Sequence, residues 1–160
     1  MLRNATLNDL PAIVDIYNQT IAGRMVTADL EPVSIESRIP WFHTHSLKRP
    51  LQVWEQGNTV IAWLSFKDFY GRPAYRHTAE IAIYIHQQHR GKGLGALLLQ
   101  QAINCCADLE IHTLLGFIFA HNQPSVSLFR KFGFETWAHL PAVAKLDDEL
   151  RDLLILGKKI

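Results

Sequence analysis

Hydrophobic residues recur along the chain with two spacings, one typical of strands and one typical of helices. Residues 78–86 show the clearest strand pattern, because Ile81, Ile83 and Ile85 would face one side of a sheet. Residues 10–17 instead carry apolar side chains at helical spacing. The predicted strands are residues 2–6, 51–55, 59–66, 78–86, 113–120, 134–143 and 150–156, and the predicted helices begin after Thr6, Ser34, Gly95 and Asn122. This order, β-α-α-β-β-β-α-β-α-β-β, indicates a mixed α/β layer fold.

Polar residues mark where the predicted helices begin. Thr6 and Asp9 have the spacing of a capping box. Ser34 is suited to begin a second helix, which Pro40 would kink or break. Asn122 can cap a short helix late in the chain. For the helix that follows the glycines, we expect one buried face, made of Leu94, Leu97, Leu98, Ala102 and Cys105.

The composition is that of one globular domain covering residues 1–160. Hydrophobic residues make up 48% of the chain, and the formal net charge is +1. This charge argues against a protein that binds nucleic acid through a broad basic surface. The N-terminus shows no signal-peptide pattern, and the longest apolar stretches are too short to cross a bilayer. We therefore expect a cytoplasmic protein with neither a nucleic-acid nor a membrane partner.

The cysteines and histidines do not predict a metal site. Cys105 and Cys106 are neighbours, which makes a disulfide between them geometrically poor and favours two buried thiols in a reducing compartment. His43 and His45 are the closest histidine pair, but no third ligand follows at a recognisable spacing and no HExxH motif occurs. We expect no metal.

A glycine-rich loop between a predicted strand and a predicted helix carries the strongest functional pattern, Arg90-Gly91-Lys92-Gly93-Leu94-Gly95. Glycines let the backbone turn sharply and approach a ligand, and a helix N-terminus offers unpaired amides and a positive dipole end. Together they suit a pyrophosphate, with Arg90 and Lys92 adding charge. The spacing fits neither the phosphate-binding P-loop nor the dinucleotide fingerprint. A tight strand-to-helix turn without a ligand is the alternative.

The loop resembles the R/Q-x-x-G-x-G/A signature of the GCN5-related N-acetyltransferases. A second stretch, from Asn122 and Ser125 to Gly133 and Phe134, is similar to the Asn-x-x-Ser…Gly-Phe segment of that family. Within the family, the chain most resembles the phosphinothricin and methionine sulfoximine acetyltransferases, through residues 16–18, 72–75 and 78–85. The resemblance implies the GNAT fold: a mixed sheet of about seven strands with helices on both faces. It also implies that the parallel strands 78–86 and 113–120 splay apart.

The resemblance further implies that acetyl-CoA lies between the splayed strands as cosubstrate. Backbone groups of one strand would pair with the pantetheine arm, and loop amides would hold the pyrophosphate. The implied coenzyme-binding residues are Ile83, Tyr84, Ile85, Arg90, Gly91, Lys92, Gly93, Leu94, Gly95, Ala96, Asn122, Ser125 and Lys131. For Asn122, a plain helix cap is the alternative, and both roles are compatible.

Amine acetylation needs a neutral amine, whose ammonium form has a pKa of about 10. Glu80 lies on a strand otherwise rich in Ala and Ile, and it is the position of the proposed base in the resembling subgroup. A structural ion pair with Arg72, Arg76 or His77 is the alternative. Many family members carry a tyrosine seven residues after the asparagine to protonate the CoA thiolate, but Phe129 cannot donate a proton. Water or another group would then serve, or the thiolate leaves unprotonated.

The acceptor implied by the resemblance is the primary amine of a small molecule, an amino acid or an analogue such as methionine sulfoximine or phosphinothricin. Arg72 and Tyr75 form a loop that could hold its carboxylate, unless the charges of this loop are simply solvated. Met25 and Thr27 could line the opposite wall, together with Trp41 and Phe42 if these are not core residues.

Two other functions stay open at this point. The chain could acetylate a protein or peptide amine, or it could bind CoA without catalysis as a sensor module. The resembling subgroup often forms homodimers, so a homodimer is a further expectation.

Overall fold

The computed structural model describes residues 1–160, and it arranges seven strands in one sheet. The strands are β1 (Leu2–Asn4), β2 (Leu51–Gln56), β3 (Thr59–Asp68), β4 (Thr78–Ile85), β5 (Thr113–Phe119), β6 (Glu135–Leu146) and β7 (Glu149–Lys159), and the helices are α1 (Leu10–Asn18), α2 (Ile35–Phe42), α3 (Leu94–Cys105) and α4 (Gln123–Lys131). Their order along the chain is the predicted one. Across the sheet the strands lie in the order β1-β2-β3-β4-β5-β7-β6. The predicted α/β fold is confirmed.

The helix starts form as their capping residues predict. The amide of Thr6 donates to Asp9 Oδ2 at 2.7 Å, where a short 3₁₀ turn leads into α1. Ser34 Oγ accepts from the amide of Ser37 at 3.1 Å, at the start of α2. Pro40 lies inside α2 but does not break it, since the helix continues to Phe42. None of the helices has the length and hydropathy that a membrane crossing requires.

The buried face of α3 differs from the prediction. Leu97 is 41% exposed, whereas the side chains buried by α3 and its C-terminal end are Leu98, Leu99, Ala102 and Cys106. Consecutive leucines made the apolar stripe ambiguous in the sequence. In the fold, α3 turns Gly95 toward Leu128 and Ile85, so the buried stripe is centred on the side of the helix away from Leu97.

Helices cover both faces of the sheet, and each face has its own core. The larger core joins α3 and α4 to one face and includes Leu64, Phe66 and Ile81. The smaller core joins α1 to the other face and includes Val53 and Trp63. Alternation along β3 accounts for this division, because neighbouring residues of a strand point to opposite faces.

The parallel pair β4–β5 separates along its length. The two strands pair only at Thr78–Thr113, Ala79–Leu114 and Glu80–Leu115. Beyond these positions β4 runs on to Ile85 and β5 to Phe119 without pairing to each other. The two strands therefore splay from Glu80 onward, which opens a cleft inside the sheet.

Candidate active site

A cleft of 180 Å³ lies where β4 and β5 diverge. We call it the splayed-strand cleft. It is lined by Ile83, Tyr84 and Ile85 of β4, by Phe117 and Ile118 of β5, by Asn122, Ser125, Leu128 and Phe129 beside and within α4, and by Glu80, Ile81, Ala82, Gly95 and Val26. These residues include six of the predicted coenzyme-binding residues: Ile83, Tyr84, Ile85, Gly95, Asn122 and Ser125. The cleft is mostly apolar, with backbone groups of two unpaired strand segments along its sides.

The glycine loop brings a row of free backbone donors to the start of α3. None of the amides from Gly91 to Ala96 donates to an acceptor within the chain, and the first helical bond runs from the Leu97 amide to Gly93 O at 3.1 Å. Gly91 and Gly93 have φ values of 70° and 83°, which side chains other than glycine rarely adopt. Six adjacent amides at the positive end of a helix dipole suit a pyrophosphate.

The predicted basic residues lie around this loop at the surface. Arg90 Nε donates to Ile85 O at 2.9 Å, and Lys92 Nζ donates to Gln88 O at 2.9 Å. These two bonds fix the side chains against the loop backbone. Lys131 lies exposed in the last turn of α4.

Asn122 caps α4 and also borders the splayed-strand cleft. Its Oδ1 accepts from the amide of Ser125 at 3.4 Å, whereas its Nδ2 has no acceptor within the chain. Asn122 is buried and lines the cleft. The cap and a ligand contact are therefore compatible in one side chain.

Phe129 packs against the backbone of β5 at Gly116. A Cβ at Gly116 would lie 2.5 Å from Cε1 of Phe129, so the ring occupies the space that a side chain at Gly116 would need. The ring also packs on Phe134, with centroids 4.8 Å apart. Phe129 thus closes one wall of the splayed-strand cleft with an apolar surface.

Glu80 occupies the point where three cavities meet. It is the last β4 residue paired with β5, and it borders the splayed-strand cleft and two further cavities. Its carboxylate has no hydrogen-bond partner, and it forms no ion pair with Arg72, Arg76 or His77. Burial raises the pKa of Glu80, and the nearby Lys67 partly offsets the rise. A carboxylate without a partner at the meeting point of these cavities is a candidate general base.

The second cavity, which we call the aromatic pocket, has a volume of 160 Å³. Its floor consists of three cross-strand pairs of β3 and β4: Trp63 with Tyr84, Ser65 with Ala82, and Lys67 with Glu80. Its other walls come from Ile13, Val14, Tyr17, Val33, Arg38 and Trp41. The rings of Trp63 and Tyr84 stack at 4.3 Å, and Trp41 meets Trp63 at 5.6 Å.

Arg38 and Asp29 complete the rim of the aromatic pocket. Arg38 lies over the ring of Tyr17 at 4.8 Å and donates to Asp29 Oδ2 at 3.0 Å. The hydroxyl of Tyr17 bonds to the same carboxylate and, at 2.5 Å, to Thr27 Oγ1. Burial and the Asp29 carboxylate raise the pKa of Tyr17, so the hydroxyl stays protonated.

The third cavity, the open groove, has a volume of 880 Å³ and runs from Trp41 past Glu80 to Leu140. Phe69, Tyr70 and Gly71 line it, at the start of the predicted acceptor loop. Arg72 and Tyr75 follow in the exposed part of this loop and do not line it, although Tyr75 packs on Phe69 with centroids 5.5 Å apart.

Met25 and Thr27 lie in the connection between α1 and α2. Thr27 is buried beside Tyr17, whereas Met25 is 37% exposed and lines none of the three cavities. The same connection covers the splayed-strand cleft through Val26. It is held there by Arg24, which pairs with Asp147 at 3.0 Å and whose carbonyl accepts from His121 Nε2 at 2.8 Å.

Most residues of the aromatic pocket were not predicted from the sequence. Ser65, Lys67 and Arg38 were not among the predicted site residues, and Tyr84 was assigned only to the coenzyme. The period-2 pattern of residues 59–66, aligned against residues 78–86 as a hairpin, could have placed Trp63 and Ser65 on the face of Glu80. Residues 69–77 connect the two strands, and a connection of this length does not fix the register by pattern alone.

The cysteines and histidines have structural surroundings. Cys105 and Cys106 are free thiols, and burial raises the pKa of Cys106 to about 12. His77 and His112 stack at 4.4 Å, and His77 Nδ1 donates to Glu110 O. No group of three or more His, Cys, Asp and Glu side chains is placed to hold a metal ion.

Two curated proteins resemble this chain over almost its whole length. YwnH of Bacillus subtilis, whose name provisionally assigns it to the phosphinothricin acetyltransferases, is 52% identical over 160 residues, which cover 99% of this chain and 98% of YwnH. The L-methionine sulfoximine/L-methionine sulfone acetyltransferase of Pseudomonas aeruginosa is 30% identical over 157 residues, which cover 97% of this chain and 91% of that protein.

A solved structure shares the fold and contains the coenzyme. The phosphinothricin acetyltransferase of Sinorhizobium meliloti in complex with acetyl-CoA has a TM-score of 0.93 and 26% identity, with 100% of this chain and 88% of that chain covered. Residues 12–134 match the acetyltransferase (GNAT) family. With these matches, this chain belongs to the acetyltransferase (GNAT) family and is an acetyl-CoA-dependent N-acetyltransferase.

Proposed function

We propose that this enzyme acetylates the primary amine of an amino acid or a close analogue, with Glu80 as the base. The observation that carries the proposal is the position of Glu80, which borders both the splayed-strand cleft and the two cavities open to an acceptor. The relatives named for methionine sulfoximine, methionine sulfone and phosphinothricin support an acceptor of this chemical class. A solved structure named as the ribosomal-protein-alanine N-acetyltransferase of Brucella melitensis is 30% identical to this chain, so a peptide acceptor is the second candidate and is included among the acceptors to be tested.

The coenzyme would be held mainly by main-chain groups. The amides of residues 91–96 would bind its pyrophosphate, with Arg90, Lys92 and Lys131 adding positive charge nearby. Backbone groups of residues 83–85, with Asn122 and Ser125, would line the pantetheine arm. Acetyl-CoA supplies the acetyl thioester, and the chain supplies position and a proton acceptor.

Glu80 would take a proton from the ammonium group of the acceptor. The neutral nitrogen then forms a bond to the acetyl carbon, the carbon–sulfur bond breaks, and the second amine proton is lost to water, or to Glu80 after Glu80 has released the first proton to solvent. Burial favours this role, because the raised pKa of Glu80 narrows its gap to the pKa of an amine. Phe129 offers no proton to the departing sulfur, so water protonates it or it leaves as thiolate.

Glu80→Gln tests this role directly. We expect kcat to fall by about 10²–10⁴-fold with unchanged affinity for acetyl-CoA, because the amide cannot accept the proton. The wild-type enzyme should lose kcat/KM as the pH falls through the raised pKa of Glu80, since only the ionised carboxylate is a base. This acid limb should be absent in Glu80→Gln.

The matched control is Glu135→Gln, an exposed carboxylate at the start of β6. It should leave kcat, KM and the pH profile unchanged. An amine panel containing methionine sulfoximine, methionine sulfone, phosphinothricin, a polyamine and a short peptide provides the acceptors. An acid limb that persists in Glu80→Gln at an undiminished rate would remove Glu80 as the base.

The remaining expectations stay predictions. A homodimer is supported by exposed apolar residues on the outer hairpin of the sheet, among them Trp137, Val143 and Leu150. A cytoplasmic location is supported by the free thiols of Cys105 and Cys106. The assignment of residues 1–160 to one domain is supported by the single sheet.

A further inference from the structure

The floor of the aromatic pocket changes from charged to aromatic along two strands. At one end Lys67 faces Glu80 across the strands, in the middle Ser65 faces Ala82, and at the far end Trp63 faces Tyr84. Same-face residues of a strand lie about 7 Å apart, so the floor is about 13 Å long. The β4 residues of the floor, Glu80, Ala82 and Tyr84, border the splayed-strand cleft as well, and Glu80, the proposed base, marks the charged end as the end where the amine reacts.

The side chains in the middle of this floor are small. Ser65 and Ala82 are the smallest side chains of the three pairs, and they leave space between the charged pair and the stacked rings of Trp63 and Tyr84. Trp41 closes this space from above, since it lines the same pocket and meets Trp63 at 5.6 Å. An apolar group extending about 7 Å from the charged end would meet aromatic surface on several sides.

Lys67 is the cation of the pocket that lacks an anionic partner. Arg38 also lines the pocket but is paired with Asp29. Lys67 belongs to none of the ion pairs of the chain. Opposite residues of neighbouring strands have Cβ atoms about 5 Å apart, so Lys67 and Glu80 present a positive and a negative group side by side.

We propose that the acceptor is a free zwitterionic α-amino acid with an apolar side chain, whose α-carboxylate is bound by Lys67. This inference rests on the proposed function and specifies its substrate. The α-amine and the α-carboxylate are attached to the same carbon, so an amine placed at Glu80 brings the carboxylate to Lys67. The ammonium group then faces the Glu80 carboxylate, and the substrate carboxylate faces the Lys67 ammonium group. The side chain extends over Ser65 and Ala82 to the aromatic end. An amine that has no carboxylate would place its ammonium group beside the unpaired ammonium group of Lys67, and the two positive charges would repel each other.

Matched acceptors separate the carboxylate contact from all other effects. We would measure kcat/KM for L-phenylalanine and for L-phenylalaninamide in the wild-type enzyme, Lys67→Met and Lys67→Arg. A hydrogen bond to a charged group contributes about 1.5–3 kcal/mol, which corresponds to a 10–150-fold preference for the acid. Lys67→Met should reduce this preference by that factor, chiefly through the KM of the acid, and Lys67→Arg should retain part of it.

The deciding quantity is kcat/KM for the acid divided by kcat/KM for the amide, because Lys67 also affects the ionisation of Glu80. That effect acts on both acceptors alike and cancels in the ratio. Lys145→Met, which removes an exposed lysine of β6, is the matched control and should leave the ratio unchanged. The KM for acetyl-CoA should stay constant in all variants.

A second variant tests the side-chain end. Ala82→Leu fills the space in the middle of the floor, so KM should rise at least several-fold for L-phenylalanine and little for glycine, which has no side chain. Equal effects on both acceptors, or a wild-type preference for L-glutamate over L-phenylalanine, would overturn the apolar assignment.

The outcomes distinguish this inference from the proposed function. Acetylation with the same acid-to-amide ratio in wild type and Lys67→Met would overturn the role of Lys67 and leave the proposed function standing. Binding of acetyl-CoA without acetylation of any amine in the panel would overturn the proposed function, and with it this inference.

Discussion

Gly116→Ala should destabilise the fold through one identifiable collision. The new Cβ would lie 2.5 Å from Cε1 and 3.0 Å from Cδ1 of Phe129, whereas carbon atoms normally approach to about 3.5–4.0 Å. The ring must therefore move by about 1 Å. It is buried and packed against Phe134, so little space receives it. Overpacking of this kind destabilises a core by about 1–3 kcal/mol.

Thermal and urea unfolding can measure this destabilisation. For a protein of this size each kcal/mol lowers Tm by about 2–4 °C, so Gly116→Ala should lower Tm by roughly 2–12 °C. A double-mutant cycle with Phe129→Leu then isolates the cause, because leucine has no ring edge to collide with the new methyl group. In that background the free-energy cost of Gly116→Ala should fall below about 0.5 kcal/mol.

Additivity would refute the reasoning. If Gly116→Ala lowers the free energy of unfolding equally with and without Phe129→Leu, the collision with the ring is not its cause. A fully stable Gly116→Ala single variant would show that the ring moves freely, which contradicts its close packing on both sides.

Two further predictions concern the glycine loop and the acid side of the stability curve. Gly93→Ala should raise the Kd for acetyl-CoA about tenfold and cost about 1–2 kcal/mol of stability, because φ is 83° at this position. Gly57→Ala in the β2–β3 turn, where φ is 56°, should cost similar stability but leave the Kd unchanged in calorimetry. Equal changes in Kd for the two variants would contradict a role of Gly93 in binding. The Arg3 guanidinium lowers the pKa of Asp9 to about 2 from 3.8, so this pair stabilises the fold above pH 4, and the contribution is lost as the pH falls toward 2. Asp9→Asn should flatten this part of the pH dependence in urea unfolding, and an unchanged slope would exclude the pair as its source.

Local patterns were sufficient for the elements of this fold. The alternation of residues 78–86, the caps at Ser34 and Asn122, and the glycines before α3 all have short-range physical causes, and the structure has elements at each of them. Leu97 shows the limit of this reasoning. A run of leucines defines a helix but not its buried stripe, which the packing of Gly95 against Leu128 and Ile85 decides.

The candidate site was predictable only in part, because its two halves depend on different information. The six free amides lie on consecutive residues, so a sequence motif reveals them. The splay after Glu80 came from family resemblance, since no periodicity reports where two distant strands stop pairing. The Lys67–Glu80 pair depends on the register of β3 against β4, which side-chain packing across the sheet sets.

The divergence of β4 and β5 also gives this sheet an edge in its interior. Residues 83–85 and 117–119 each pair with a neighbouring strand on one side only, and on the side of the gap they have no strand partner, as at the rim of a sheet. A pantetheine arm carries amide groups spaced along an extended chain, so a coenzyme bound as proposed would take the place of a strand there. The bound coenzyme would then complete the sheet across the gap, and each catalytic turnover would replace it with a new molecule.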